Sequence, residues 1–407
     1  MNNALSHVTV LDLSRILAGP WAGQLLADLG AEVIKIERPG IGDDTRTWGP
    51  PFLRNRNGAE RADSAYYLCA NRNKKSVTVD FTAPEGQALI RELARTSDIV
   101  LENFKVGGLK AHGLDYESLK AVNPRLIYCS ITGFGQTGPY AARGGYDFLI
   151  QGMGGLMSIT GRGAQEPGAG PQKTGVAVTD ILTGLYASIG ILAALAHRER
   201  TGAGQYIDVA LMDVQVACLA NQALNYLIGG EVPQRLGNAH PNIVPYQDFP
   251  TTDGYVIIAV GNDAQFARLC AAAGLTELAA DPRFTTNQQR VLHRTQLIDR
   301  LCDATRSRST AEWVADLERV GVPCGPINTI DAVFADRQVR ARGMQVELPH
   351  PSAGTVPLVA NPLRLSETPV SYRWAPPTLG SHTHEVLSER LGLSAAQIEA
   401  LAAKSVI

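Results

Sequence analysis

Two aspartates occupy positions from which a carboxylate could act as a nucleophile or a base. Asp147 ends the string Gly144-Gly-Tyr-Asp147 after a glycine-rich loop, and Asp180 stands at the start of an apolar stretch. The plain interpretation of Asp180 is a helix N-cap, a position that aspartate favours. The dipole of the following helix would also keep this carboxylate ionised, which a nucleophile requires. The residues alone leave both interpretations open.

Positive charge gathers in three groups, each beside a predicted strand: Lys35 with Arg38, the run Arg72–Lys75, and Lys105 with Lys110. Loops at the strand ends of an open α/β sheet form ligand crevices. Any one group could be a solvated charged edge. Three such groups in one half of the chain indicate a phosphate-rich ligand.

The string Gly133-Phe-Gly-Gln-Thr-Gly138 follows a predicted strand and fits the GxGxxG pattern. A dinucleotide-binding fold needs a helix that begins within these glycines. Here Pro139 and then Ala-Ala-Arg-Gly-Gly follow instead. We interpret the segment as a flexible turn, which argues against a dinucleotide oxidoreductase.

Other catalytic signatures are absent from the sequence. There is no GxSxG string, His382-Thr-His384 is typical of an exposed helix start, and the six cysteines are scattered without a CxxC pair. Hydrolase and metalloenzyme interpretations therefore have little support, and we predict no metal site. Single cysteines also suit a reducing cytoplasm.

The elements that must position these residues alternate between strand and helix in the first half of the chain. The predicted strands there are Val8–Leu13, Glu32–Glu37, Ser76–Asp80, Asp98–Glu102 and Arg125–Thr132. Such alternation predicts an α/β fold with a mostly parallel sheet. The string Thr82-Ala-Pro-Glu85 predicts a capping box for one of the helices.

The pattern changes beyond residue 229. The first half ends with predicted helices over 181–200 and 212–228 on either side of a strand, Tyr206–Leu211. Asp253-Gly254 then predicts a hairpin between two strands, and helical patterns follow over 263–274, 287–306 and 309–320. This middle region reads as a smaller α+β unit, closed by Val322-Pro-Cys-Gly-Pro326. The tail returns to two strands and a final helix over Thr383–Leu391.

Composition excludes several classes of partner. The chain has 407 residues and a formal net charge of −2, so its charge gives no indication of nucleic-acid binding. The N-terminus lacks the basic and apolar regions of a secretory signal. The most apolar stretch, 181–196, is shorter than the roughly 20 residues that a bilayer span needs. We therefore expect a soluble cytoplasmic protein without a membrane partner.

Several strings resemble the class III CoA-transferase family, which includes formyl-CoA transferase. They are Leu11-Asp-Leu-Ser-Arg-Ile-Leu-Ala-Gly-Pro20, Leu29-Gly-Ala-Glu-Val-Ile-Lys-Ile-Glu-Arg38, Asn71-Arg-Asn-Lys-Lys-Ser76, Glu102-Asn-Phe104, Gly202-Ala-Gly-Gln205 and Leu379-Gly-Ser-His-Thr-His-Glu-Val-Leu387. The resemblance implies a large Rossmann-like domain built from both termini (1–228 and 327–407), a small inserted domain (229–326) and two subunits interlocked as a homodimer.

The resemblance also implies the site. It makes Asp180 the nucleophile, with Tyr146 and Asp147 beside it, and it makes CoA thioesters and free carboxylic acids the substrates, without a prosthetic group. The implied CoA contacts are Leu17, Ala18, Arg38, Val79, Asp80, Phe81, Thr82, Asn103, Phe104, Lys105, Lys110, Gly144 and Gly145. Lys110 stands in for a family arginine whose position holds Ala111 here.

The sequence departs from formyl-CoA transferase where that enzyme has a glycine-rich catalytic loop. Arg235-Leu-Gly-Asn-Ala-His240 and Ile243-Val-Pro-Tyr246 replace the loop, so formyl or oxalyl specificity is not implied. Other strings, such as Gly42–Phe52 and Asn225–Gly229, are similar to members that pass CoA from succinyl-CoA to glutarate-like diacids. Such strings also occur in members that act on malate, citramalate or mesaconate, so the resemblance leaves the exact acids open. The implied reaction runs through an aspartyl-CoA thioester.

Two alternatives share the CoA-binding fold. An α-methylacyl-CoA racemase would use a His-Asp pair, but Tyr146 stands at the histidine position, and a phenol with a pKa near 10 is a poorer base. A non-catalytic CoA-binding protein would not need an acid at Asp180.

A diacid substrate would carry one carboxylate that takes no part in the transfer. Burying that group requires a cationic or strongly donating partner. Arg46 and His240 are the candidates. Arg46 could equally pair with Asp43 or Asp44, so its role stays open at this point.

Overall fold

The computed structural model describes residues 3–55, 61–163 and 166–407, which form two units. The first unit comprises residues 1–156, 174–224 and 340–407, and the second comprises 157–173 and 225–339. The strands are β1 (Thr9–Asp12), β2 (Glu32–Glu37), β3 (Phe52–Arg54), β4 (Arg61–Ser64), β5 (Lys74–Thr78), β6 (Ile99–Glu102), β7 (Ile127–Thr132), β8 (Tyr206–Ala210), β9 (Tyr246–Pro250), β10 (Tyr255–Ala259), β11 (Cys324–Pro326), β12 (Gln345–His350) and β13 (Gly354–Val359).

The helices alternate with these strands in the first half of the chain and predominate in the second unit. They are α1 (Ala18–Asp28), α2 (Ala65–Leu68), α3 (Pro84–Thr96), α4 (Tyr116–Lys120), α5 (Asp147–Met153), α6 (Leu156–Ile159), α7 (Val178–Thr201), α8 (Leu211–Ala217), α9 (Ala220–Gly229), α10 (Asp263–Ala272), α11 (Thr276–Ala280), α12 (Asn287–Leu292), α13 (Arg294–Thr305), α14 (Thr310–Arg319), α15 (Ile330–Ala335), α16 (Arg337–Ala341), α17 (Thr383–Leu391) and α18 (Ala395–Ala403).

A six-stranded parallel sheet with the order β5-β2-β1-β6-β7-β8 is the centre of the first unit. Its strands are short runs of β-branched and aliphatic residues, and alternate residues point to opposite faces. Val10 and Val33 pack with α1 and α7 on one face, whereas Leu11 and Ile34 pack with α3 and α17 on the other. The prediction of an α/β fold with a parallel sheet is confirmed.

The strand order reverses between β1 and β6. From β1 the chain moves outward to β2 and β5 on one side, and β6, β7 and β8 extend the sheet on the other. In open parallel sheets, the loops that leave the carboxyl ends of the strands at such a reversal surround a crevice. Here these loops begin at Leu13 and Asn103.

Helix α7 is long and apolar enough to cross a membrane by length and composition alone, with a mean hydropathy of 1.7 over its most apolar window. In the structure it packs against α1, β7 and β8 as a core helix. Gly184 permits the approach to α1, because a Cβ there would lie 2.7 Å from the carbonyl oxygen of Ala18.

Two local predictions are wrong for identifiable reasons. The side chain of Thr82 donates to Asp80 and does not cap α3, whose N-cap is Ala83, so the capping box does not form. The single helix predicted over 212–228 is interrupted where Ala220 adopts a positive φ of 46°. The result is two helices, α8 and α9.

The second unit contains an antiparallel sheet of order β11-β10-β9. The Asp253-Gly254 turn joins β9 to β10 as predicted. The unit extends over 225–339, beyond the predicted limits of 229–326, and it also takes 157–173. That segment belongs here because the Gly161 carbonyl accepts from Gly237 N–H and the Arg162 carbonyl accepts from Arg235.

The C-terminal segment of the first unit covers the free edge of β5. The side-chain amide of Asn73 donates to the carbonyl of Ser371 at 2.8 Å. Thr78 N–H donates to the hydroxyl of Thr383 at 3.0 Å, and the N–H of His382 donates to the Ser76 carbonyl at 3.0 Å. The last part of the chain thus completes a sheet that begins near the N-terminus.

Candidate active site

The crevice at the strand reversal is a cavity of about 390 Å³. The loops after β1, β6 and β7 form its walls, and Asp180 and Leu211 complete the lining. This is where a doubly wound sheet binds ligands.

Asp180 is the third residue of α7 and not its N-cap. The N-cap is Ala177, which has no capping side chain, so the N-cap interpretation is wrong. Asp180 is only 9% exposed, yet it lines the cavity. Within the described part of the chain, its carboxylate accepts no hydrogen bond. A buried carboxylate that accepts no hydrogen bond lowers the stability of the fold and is free to react.

Asp147 holds the start of α7 in place. Its Oδ1 accepts from the N–H groups of Thr179 at 2.8 Å and Asp180 at 3.3 Å. Its Oδ2 accepts from the side-chain amide of Gln151 at 2.6 Å, and Gln151 in turn accepts from Thr174 N–H at 3.0 Å. Asp147 is therefore a positioning residue. It accepts hydrogen bonds from N–H groups in the first turn of α7, which have no carbonyl partner within the helix.

Burial raises the pKa of Asp180 to about 7, and the nearby negative charge of Asp147 adds to the rise. The ionised form is therefore about half populated at neutral pH and is more basic than an exposed aspartate. Such a shift in a cleft is typical of a reacting carboxylate.

Close backbone contact seats the loop that carries Tyr146 and Asp147. A Cβ on Gly133, directly after β7, would lie 2.5 Å from the Cα of Gly145. Glycine is required at both positions for the loop to lie on the strand end. Tyr146 follows at the cavity wall and is 66% exposed.

A second, smaller cavity of about 80 Å³ adjoins the first, and Arg15 and Phe104 line both cavities. The residues expected to contact CoA divide between them. Those in the first cavity are Leu17, Ala18, Asn103, Phe104, Lys105, Gly144 and Gly145. Those in the second are Arg38, Val79, Asp80, Phe81, Thr82 and again Phe104. Lys110 lines a third pocket of about 60 Å³ with Phe104 and Lys105.

Arg46 lies outside these cavities and has partners inside the protein. Its guanidinium binds Glu37 through two donors at 2.7 and 2.8 Å. It also lies 2.8 Å from the Asp63 carboxylate and 3.8 Å from the centre of the Tyr67 ring. These partners are not the expected Asp43 and Asp44. Arg46 nevertheless forms ion pairs within the protein, as the structural alternative required. Arg46 has no guanidinium edge to offer a substrate.

His240 belongs to the second unit, shortly before β9. Its Nδ1 accepts from Asn242 N–H at 3.0 Å, and its ring lies 5.3 Å from that of Tyr246. Burial lowers the pKa of His240, and the charge of Arg294 lowers it further. A neutral imidazole is a weak partner for a carboxylate.

Some residues of the site escaped sequence reasoning. Gln151 reads as an ordinary helix residue, and Arg143 stands in the loop interpreted as a flexible turn. Ile16 has a φ of 73°, which is rare for a β-branched residue, and this conformation directs its N–H to the Asp43 carboxylate at 3.3 Å. Backbone strain of this kind clusters at ligand sites.

Comparison with known proteins agrees with this architecture. A family model described as CoA-transferase family III matches residues 5–383. A succinate–glutarate CoA-transferase from Agrobacterium fabrum is 53% identical over 385 residues, which cover 95% of both chains. The Homo sapiens succinyl-CoA:glutarate CoA-transferase is 47% identical over 393 residues, covering 96% of this chain and 87% of that one. The crystal structure of a CAIB/BAIF family protein from Brucella suis superposes with a TM-score of 0.83 at 52% identity, covering 96% of this chain and all of that one.

Proposed function

Because the chain belongs to CoA-transferase family III, whose substrates are CoA thioesters, we propose that it moves CoA from succinyl-CoA to glutarate or a similar diacid. The observation that carries the chemistry is the buried carboxylate of Asp180, which has no hydrogen-bond partner among the described residues and faces the cavity at the strand reversal. The substrates follow from the relatives' names.

The reaction begins when ionised Asp180 attacks the thioester carbonyl of succinyl-CoA. The C–S bond breaks, CoA leaves as a thiolate, and a mixed succinyl-aspartyl anhydride forms. The thiolate then attacks the aspartyl carbonyl of the anhydride, which releases succinate and leaves Asp180 as a thioester of CoA. Glutarate attacks this thioester, which forms an aspartyl-glutaryl anhydride and releases the CoA thiolate. The thiolate then attacks the glutaryl carbonyl, so that glutaryl-CoA forms and the Asp180 carboxylate is restored.

The site supplies positioning and desolvation. A carboxylate is a weak nucleophile in water, and its burial without donors keeps Asp180 reactive. The first N–H groups of α1, at Ala18 and Gly19, have no partners within the helix, because the residues four positions earlier, Ser14 and Arg15, lie outside it. Ala18 lines the same cavity as Asp180, so its N–H group can stabilise the negative charge that develops on the carbonyl oxygen.

Two variants test the covalent step. Asp180→Asn and Asp180→Ala should abolish transfer from succinyl-CoA to glutarate while CoA still binds. In the wild-type protein, a mass increase equal to CoA less one water should map to the peptide that contains Asp180, and hydroxylamine should remove it. Asp213→Asn, an exposed acid on α8, is the matched control. Turnover near that of the wild type in either Asp180 variant would refute the mechanism, and a panel of acceptor acids would test the choice of glutarate.

We also propose that the first unit is the large Rossmann-like domain of an interlocked homodimer located in the cytoplasm. Support for a dimer comes from large apolar side chains that are exposed on α7 and α5 in a single chain. Tyr186 is 46% exposed, Ile189 61% and Phe148 59%. A second copy would remove this surface from water. Light scattering after gel filtration should give the dimer mass, and a monomer at micromolar concentration would contradict the proposal.

A further inference from the structure

The second carboxylate of a diacid has no binding partner among the residues considered so far. The question rests on the proposed function, because only a diacid has this idle group. Arg46 is saturated by Glu37 and Asp63. Three other cationic side chains line the cavity that holds Asp180, namely Arg15, Lys105 and Arg143.

Two of these three cations have other roles. Arg15 forms an ion pair with Asp44 at 2.9 Å and also lines the second cavity. Lys105 follows Asn103 and Phe104, the segment whose resemblance implies contact with CoA. Arg143 has no acidic partner within the described residues.

Cation–π contacts with two aromatic rings hold Arg143 and leave its N–H donors free. The guanidinium lies over the rings of Phe134 at 5.0 Å and Tyr140 at 4.7 Å. Among the residues that the structure describes, its side chain makes one contact with a polar atom, a weak one from Nη2 to the sulfur of Met153 at 3.7 Å. Stacking on aromatic faces leaves the N–H edge of a guanidinium open to a planar carboxylate. The neighbouring Gly144 and Gly145 fix the backbone of this loop on the end of β7.

We infer that Arg143 binds the idle carboxylate of the diacid while the other carboxylate reacts at Asp180. The dimensions allow this arrangement. A sphere of 390 Å³ is about 9 Å across, and carbon–carbon bonds of about 1.5 Å place the two carboxyl carbons of an extended five-carbon diacid about 5 Å apart. Succinate and glutarate differ by one methylene, so one guanidinium at this wall of the cavity can serve both.

The test compares two acceptors that differ only in the idle carboxylate, glutarate and valerate. In an exchange through an enzyme-bound CoA, kcat/KM for the acceptor is independent of the donor, so the ratio of the two values isolates recognition of the acceptor. Wild type should prefer glutarate. Arg143→Met should lower kcat/KM for glutarate by about tenfold to a hundredfold, the range expected for a lost charge-assisted hydrogen bond, and should leave valerate nearly unchanged.

Controls distinguish binding of the idle carboxylate from other roles of Arg143. Arg143→Lys keeps the charge but loses the planar fork, so it should recover only part of the loss. Arg95→Met, an exposed arginine on α3, should behave as wild type. The affinity for free CoA should not change in Arg143→Met. If Arg143 bound a phosphate of CoA instead, the substitution would weaken this affinity.

Two results would overturn the inference. One is an equal loss for glutarate and valerate in Arg143→Met, and the other is weaker binding of free CoA. If valerate is too slow to measure, a tenfold to hundredfold lower kcat/KM for glutarate with CoA binding intact supports it, and an unchanged kcat/KM for glutarate overturns it. A wild-type protein that does not transfer CoA to glutarate at all would contradict the proposed function instead, so the two failures are distinguishable.

Discussion

Replacing Asp180 by asparagine should stabilise the folded protein, and the gain should depend on pH. The pKa of Asp180 rises from 3.8 to about 7 on folding, mainly through burial. The folded state therefore binds the proton more tightly than the unfolded state does. Ionisation of this group costs no stability below pH 3.8, costs progressively more as the pH rises, and reaches its full cost above pH 7.

The magnitude follows from the two pKa values. Each unit is worth about 1.4 kcal/mol, so the cost is about 1.7 kcal/mol at pH 5 and about 4 kcal/mol at pH 8. Asparagine does not titrate, and its own cost of burial is the same at both pH values. The difference between the two proteins should therefore widen by about 2.5 kcal/mol from pH 5 to pH 8.

Urea unfolding at pH 5 and pH 8, at one protein concentration, measures this difference for wild type and Asp180→Asn. Fixing the concentration removes any contribution from assembly. Asp213→Asn should give the same difference from wild type at both pH values. If Asp180→Asn shows no widening, the carboxylate is not desolvated as described, and the account of its reactivity fails with it.

Three further predictions follow from the site and its supports. Asp147→Asn removes the charge beside Asp180, so the pKa of Asp180 falls and the acid limb of the kcat/KM profile moves to lower pH; an unmoved limb would contradict this coupling. Gly145→Ala places a methyl group against Gly133 and should cost about 1–3 kcal/mol in the free energy of unfolding, whereas stability equal to wild type would show that the loop can shift. Arg46→Met leaves the buried carboxylate of Glu37 and the partly buried carboxylate of Asp63 without their cation. It should cost about 3–5 kcal/mol in the free energy of unfolding, with the ratio of glutarate to valerate activity unchanged; a changed ratio would place Arg46 at the substrate.

Local patterns were sufficient to predict the parallel sheet. The β-branched runs and their alternation with helices predict the strands, and Glu32–Glu37 and Thr383–Leu391 have the predicted bounds. Errors arose where a side chain had a choice of partner. Thr82 has Asp80 two residues before it, and this contact replaces the capping box.

The site itself depends on contacts between distant segments. Asp147 and Asp180 are 33 residues apart, and no sequence spacing indicates that one carboxylate caps the helix that carries the other. Arg46 has acids at Asp43 and Asp44 close by in the sequence, but the fold presents Glu37 from β2 instead. The resemblance to a family pointed to Asp180 as the nucleophile, a role that remains a prediction.

The closure of β5 by the C-terminal segment has a consequence for the order of events during synthesis. Thr78 and its partner Thr383 are 305 residues apart. At about 5–20 residues per second, a ribosome makes the second of this pair roughly 15–60 s after the first. During that interval the edge strand β5 has no cover, and an uncovered edge strand can pair with other chains. A chain truncated shortly before Ser371 would remain in that vulnerable state.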